Sequence, residues 1–218
     1  MPAGNNAHSS PSHPQGTFAV IDFETTGISP ECGARPTEIG VVILEDGVIV
    51  DTYESLMNPG VHIPYFIQEL TGITDSMVRH APDVGTVMQE VTEFIASHRL
   101  VAHNAAFDSK FLDAELIKLK RPRDKEMLCS LMLSRRVFPE IPSHKLSSLV
   151  ETLRLPSTKH HRALADATAA AHLLMHIQRE LEQRFDLDHV SHEMLLSIQQ
   201  APRAKLEKCI AEFMKAPK

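Results

Sequence analysis

An α/β domain with an antiparallel start is the fold this sequence predicts, and three observations predict it. β-like runs come first, helical periodicity takes over from Pro64, and one brief β-like run, "RLVAHN", interrupts the helices. The order along the chain reads β-β-β-α-α-β-α and then mostly helix, which is the pattern of a mixed sheet covered by helices.

"TFAVID" predicts the first strand, and "GISPECGARP" after it is a loop with several turn-formers. Two β-rich runs, Glu38 to Leu44 and Val48 to Leu56, flank Glu45-Asp46-Gly47, and Asp-Gly is a hairpin turn signal. "PYFIQELTG" predicts a short helix, with Pro64 near its start and Gly72 past its end. In "DVGTVMQEVTEFIASH" the apolar residues Val84, Val87, Met88, Val91, Phe94 and Ile95 recur at amphipathic helical spacing. "AAFDSKFLDAELIKLK", "PSHKLSSLVETLRL" and the alanine-rich "ALADATAAAHLLMHIQRELEQRF" predict three more helices. We divide the 218 residues into a polar, disordered tail (1–16), a main domain (17–185) and a helical C-terminal extension (186–218) broken at Pro202. The extension is locally basic through Arg203, Lys205, Lys208, Lys215 and Lys218, and reads as a solvated face or as a docking segment.

Composition narrows the function classes. A formal net charge of −6 leaves no whole-protein basic field, so nucleic-acid binding needs a local patch or metal ions that reverse the local sign. Three separated cysteines, Cys32, Cys129 and Cys209, form no CxxC pair, which argues against a zinc knuckle or a disulfide framework. No apolar run approaches the roughly 18 residues of a membrane span, and the N-terminal stretch lacks the order of a signal peptide, so the expected location is the cytoplasm.

Chemistry concentrates at three places. In "FAVIDFETTG" the side chains alternate, so Asp22 and Glu24 project to one face and Ile21 and Phe23 to the other. Two like charges at a strand end repel unless they face open solvent or hold a cation. In "VAHNAAFDSKFL" a second β-like segment ends in His103-Asn104, with Asp108 in the first turn of the following helix, where an acid also suits the helix dipole. In "KHHRALADATAAAHLL" His161 precedes a helix that carries Asp166 inside an alanine-rich run, where Asp has poor propensity. Asp22, Glu24, Asp108 and Asp166 together match two divalent cations in charge. Oxygen ligands suit Mg²⁺ or Mn²⁺, and a metal pair can stabilise both the attacking and the leaving oxygen in phosphoryl displacement. A histidine with an ordinary pKa of about 6.5 can take the proton from an attacking water. His103 reads as a strand-end structural residue.

"DFETTG", "HNAAFD" and "HRALAD" resemble, in order and spacing, the three motifs of the DEDDh-type 3′–5′ exonucleases, the group that includes the proofreading epsilon subunit of bacterial replicative polymerase and RNase T. "ELTGITDSMV" is similar to the segment between the first two motifs in the proofreading type, and the resemblance runs from about residue 17 to about residue 185. It implies an RNase H-like mixed β-sheet flanked by α-helices. It further implies two divalent cations, Mg²⁺ or Mn²⁺, on Asp22, Glu24, Asp108 and Asp166, with His161 as general base because it lies five residues before Asp166, a spacing His160 does not meet. Thr25, Thr26, Asn104 and Phe107 fall where the family lines the pocket for the terminal nucleotide, and Leu70 and Thr71 match the segment that packs on its base.

The implied reaction is release of nucleoside 5′-monophosphates from 3′ ends of DNA, single-stranded at the tip, in proofreading or repair. The alternatives are an exoribonuclease that trims RNA or degrades short oligonucleotides, and a non-catalytic polymerase-accessory module, which would be expected to have lost an acid or the histidine. Residues 186–218 are the expected contact for a polymerase or for self-association.

Overall fold

Two consecutive residues with positive φ, Asp46 (47°) and Gly47 (78°), fold the chain back on itself where the hairpin signal lies. Such a pair matches the right-handed twist of the strands it joins. It connects β2 (Pro36–Glu45) to β3 (Val48–Leu56), antiparallel and closed by the Glu45–Val48 pair. The structure is a computed structural model that describes residues 17–95, 98–124, 126–156 and 162–215. The tail assigned to residues 1–16 therefore lies outside the described residues.

β1 (Phe18–Thr25) runs antiparallel to β2 and parallel to β4 (Arg99–Ala102), and β4 is parallel to β5 (Leu128–Cys129). The five strands are ordered β3-β2-β1-β4-β5, a mixed sheet with β1 at its centre. Between strands come α1 (Tyr65–Thr71), α2 (Asp75–Val78), α3 (Val84–Phe94) and α4 (Ala105–Lys118). After β5 follow α5 (Ser130–Val137), α6 (Leu146–Leu153), α7 (Ala163–Phe185), α8 (His192–Gln200) and α9 (Leu206–Lys215). Sequence patterning misses β5 because two residues carry no periodicity, and misses the short helices α2 and α5 beside it.

Alternation along β1 splits its side chains between two cores. Phe18 and Val20 join Val42, Leu44 and the inner faces of α5, α7 and α8. Ala19, Ile21 and Phe23 join Ile39, Val41 and the inner faces of α3 and α4. The helices beyond residue 186 are part of the first core, since Met194, Leu195, Ile198, Leu206 and Ile210 are buried in it. No described helix is long and apolar enough to cross a membrane.

Helix and sheet approach closely at Gly40 on β2. A Cβ there would lie 2.2 Å from the Leu164 backbone nitrogen. The first turn of α7 thus rests directly on the strand, and the buried alanines Ala163 and Ala167 allow it. Gly40 is also the antiparallel partner of Asp22, so this contact fixes where α7 begins relative to the acid end of β1.

Candidate active site

The acid end of β1 stays open because the strand's regular pairing breaks there. The register with β2 shifts between Glu24 and Thr25, ending the ladder and releasing the chain into a turn. The Thr25 hydroxyl donates to the Gly27 carbonyl at 2.6 Å, and Thr26 accepts from the Arg35 amide at 3.0 Å. Both threonines are buried, and their hydroxyls are used to shape the turn beside the acids.

Asp22 and Glu24 share the face covered by α7, and the Gly40 contact delivers Asp166 to them from its first turn. One carboxylate oxygen from each of Asp22, Glu24 and Asp166 lies within 4.8 Å of the others. Asp108 comes from α4 across the strand end and accepts the Phe23 backbone N–H at 3.1 Å. It is 2% exposed. Three of the four expected acids therefore converge on one point, while the fourth sits behind them against the strand backbone. His161 lies outside the described residues.

Electrostatics at this point are unfavourable without a cation. Burial drives the Asp22 carboxyl well above the usual carboxylate range, and the charges of Asp108, Glu24, Asp166 and Glu38 push it further. Glu24 is raised to about 7 by burial and then by Asp166, Glu38 and Asp108, with Arg162 opposing. Asp108 is raised to about 7, chiefly by burial, against the stabilising Phe23 N–H. A cluster of oxygen donors that resists its own ionisation fits a divalent cation, whose charge reverses that penalty.

Residues around the cluster differ in what they can still offer. Asn104 adopts the left-handed region (φ 65°, ψ 47°) at the start of α4, a conformation Asn tolerates, and leaves its side chain exposed. Phe107 is half-buried, its ring 5.1 Å from that of Phe111. Leu70 is exposed on α1. Thr71 is buried, with its hydroxyl donating to the Ile67 carbonyl and accepting from the Ile73 amide, so it holds the end of α1 and presents no group outward. His103 is an internal link: its neutral ring, lowered by burial to about 4, bonds Ser130 through Nδ1 and the His144 carbonyl through Nε2, each at 3.0 Å.

Sequence reading overlooks Glu38, a fully buried carboxylate directly opposite Glu24 in the β1–β2 register. Its signal was an acid inside the mostly apolar strand "TEIGVVIL", two residues before the glycine that admits α7.

The family model described as Exonuclease (RNase T) matches residues 19–174. The chain is 36% identical over 173 residues to the DNA polymerase III PolC-type of Clostridium perfringens, covering 79% of this chain and 12% of that protein. It is 35% identical over 170 residues to the DNA polymerase III subunit epsilon of Aquifex aeolicus, covering 76% of this chain and 82% of that one. Among solved structures it is similar to Exonuclease X in complex with 5′ overhanging duplex DNA, at 28% identity and a TM-score of 0.65, covering 84% of this chain and 99% of that one. The chain thus spans about an eighth of the length of the PolC-type relative and most of the epsilon relative.

Proposed function

The chain belongs to the DEDDh-type 3′–5′ exonuclease family, and on that footing we propose that it hydrolyses the last phosphodiester at a free 3′ end of DNA, releasing nucleoside 5′-monophosphates. The observation that carries this reading is the convergence of Asp22, Glu24 and Asp166 at the end of β1, with Asp108 behind them, in a site that disfavours its own negative charge.

Asp22, Glu24, Asp108 and Asp166 would hold two divalent cations, Mg²⁺ or Mn²⁺. When bound, these supply positive charge to the reacting phosphate and ease ionisation of water. His161 is the proposed general base, five residues ahead of Asp166, and takes the proton of the attacking water. The turn at Thr25 and Thr26 bounds the pocket for the terminal nucleotide, with the exposed Asn104 and the Phe107 ring at its other side. Leu70 is the side chain of α1 available to pack on a base, and Thr71 holds the turn that carries it.

The polymerase names of two relatives support a role in replication or repair, in the cytoplasm, with a polymerase as partner. The buried sides of α8 and α9 are used within the domain, so such a partner would meet the outer face of these two helices. Co-purification with that outer face intact or recharged checks this contact.

The deciding experiment follows mononucleotide release from 3′-labelled single-stranded DNA, mismatched duplex and short RNA, with Mg²⁺ and with chelator. Turnover on DNA ends, lost in chelator and in His161→Ala, is the expected result. Preference for RNA would replace the DNA reading, and an unchanged rate in His161→Ala would remove the base from the mechanism.

A further inference from the structure

We propose that Glu38 and Arg162 form a positioning clamp that sets the first turn of α7, and so the Asp166 carboxylate, against Asp22 and Glu24. This inference rests on the metal-dependent reading above and adds two residues to it.

Glu38 is fully buried on β2, yet both of its oxygens are occupied from one direction. Oε2 accepts the Ala163 backbone N–H at 2.9 Å, one of the donors that the start of α7 cannot satisfy internally. Oε1 accepts Arg162 Nε at 2.9 Å as well as Nη2 of the same guanidinium, a two-pronged pair. Arg162 Nη2 also lies 3.3 Å from Glu54 on β3, so the residue just before α7 is tied to two strands at once. The Arg162 carbonyl then accepts the Asp166 amide at 3.0 Å, the bond that fixes the first helical turn. Arg162, at the cap position of α7, makes no side-chain cap, and a strand carboxylate takes the Ala163 N–H instead. Together with the backbone contact at Gly40, the clamp sets where the backbone of Asp166 lies against the strand.

Sign separates this role from simple electrostatics. Arg162 is a cation beside an acid cluster, and its charge opposes the rise in the Glu24 pKa. Removing a positive charge would by Coulomb's law alone tighten the binding of another cation. A clamp predicts the reverse, because loss of the fork lets Asp166 drift from its partners.

Mn²⁺ binding to the full chain, read as free Mn²⁺ by electron paramagnetic resonance, tests it, with thermal unfolding and a metal titration of turnover alongside. Arg162→Met and Glu38→Gln should each weaken Mn²⁺ binding by about tenfold, as loss of groups that orient ligands does. The rate at saturating Mn²⁺ should change far less. Arg162→Lys keeps the charge but not the fork, and should weaken binding as well. Unchanged or tighter Mn²⁺ binding in Arg162→Met overturns the clamp. Should Glu38→Gln fail to fold, the half-exposed Arg162 carries the test by itself. Failure of the wild-type chain to bind Mn²⁺ overturns the metal reading and the clamp with it, whereas wild-type affinity in the variants overturns the clamp alone.

Discussion

The two ends of β1 handle charge in opposite ways. At its start, Arg99 on the neighbouring strand donates to Glu193 and to His192 of α8, both at 2.8 Å, and His192 is held neutral by burial and by Arg99 itself. At its far end, Asp22, Glu24 and Asp166 crowd together with Asp108 behind them, and the Arg162 guanidinium beside Glu24 is committed to Glu38 and Glu54. Both ends belong to one strand of eight residues, so the contrast is not one of fold. Where charge only fastens a helix, the chain supplies its own counter-charge. Where the proposed chemistry occurs, burial and like charges hold Asp22, Glu24 and Asp108 above the usual carboxylate range, a cost in stability that a bound cation would relieve.

The largest break in that comparison comes from Asp22→Asn. Turnover should fall on the order of a thousandfold, the scale of several kcal/mol of lost charge stabilisation. The same variant should unfold at higher temperature than the wild type in chelator, because one of the crowded charges is gone. A melting curve beside the nuclease assay checks both halves, and a less stable Asp22→Asn would mean that the cluster is not under repulsion.

The pH dependence of the chelated protein gives a second, smaller contrast. Glu24 and Asp108 hold their protons to about 7 when folded, against ordinary values of 4.5 and 3.8. Between those limits the folded chain carries more protons than the unfolded one, so their contribution is fully present in acid and is lost as pH rises through about 7. The melting temperature in chelator should therefore fall from about pH 4.5 to about pH 7, and added Mn²⁺ should flatten the slope. A flat profile in chelator would contradict the crowding.

The smallest effect is expected at the other end. Glu193→Ala removes one side of a pair that water reaches, leaves the Arg99–His192 bond in place, and should cost below about 1 kcal/mol with kcat unchanged, read by denaturant unfolding and steady-state assay.

Much of this was legible in the sequence, for identifiable reasons. The hairpin followed from Asp46-Gly47, whose backbone requirement few other pairs meet, and the end of α1 from Gly72, which takes φ 72°. Three of the four expected acids lie together, because strand alternation and first-turn placement are local facts that survive folding. What was not legible depends on partners distant in sequence. Glu38 and Ala163 are 125 positions apart. The short strand β5 exists because β4 offers it an edge, not because two residues prefer to be extended.

The bare backbone contact at Gly40 also bears on ionic size. With the α7 amide resting on the strand, the spacing of the backbones that carry the facing carboxylates is set by peptide groups, which deform far less than side chains. Mg²⁺ demands ligands at 2.0–2.1 Å in near-octahedral order, while Ca²⁺ accepts 2.3–2.6 Å in looser shells. If the proposed cations bind here, stiffer walls would favour the smaller ion on mechanical grounds. Position 40 would then act as a gauge, discriminating between cations by the stiffness it gives the walls without touching either one.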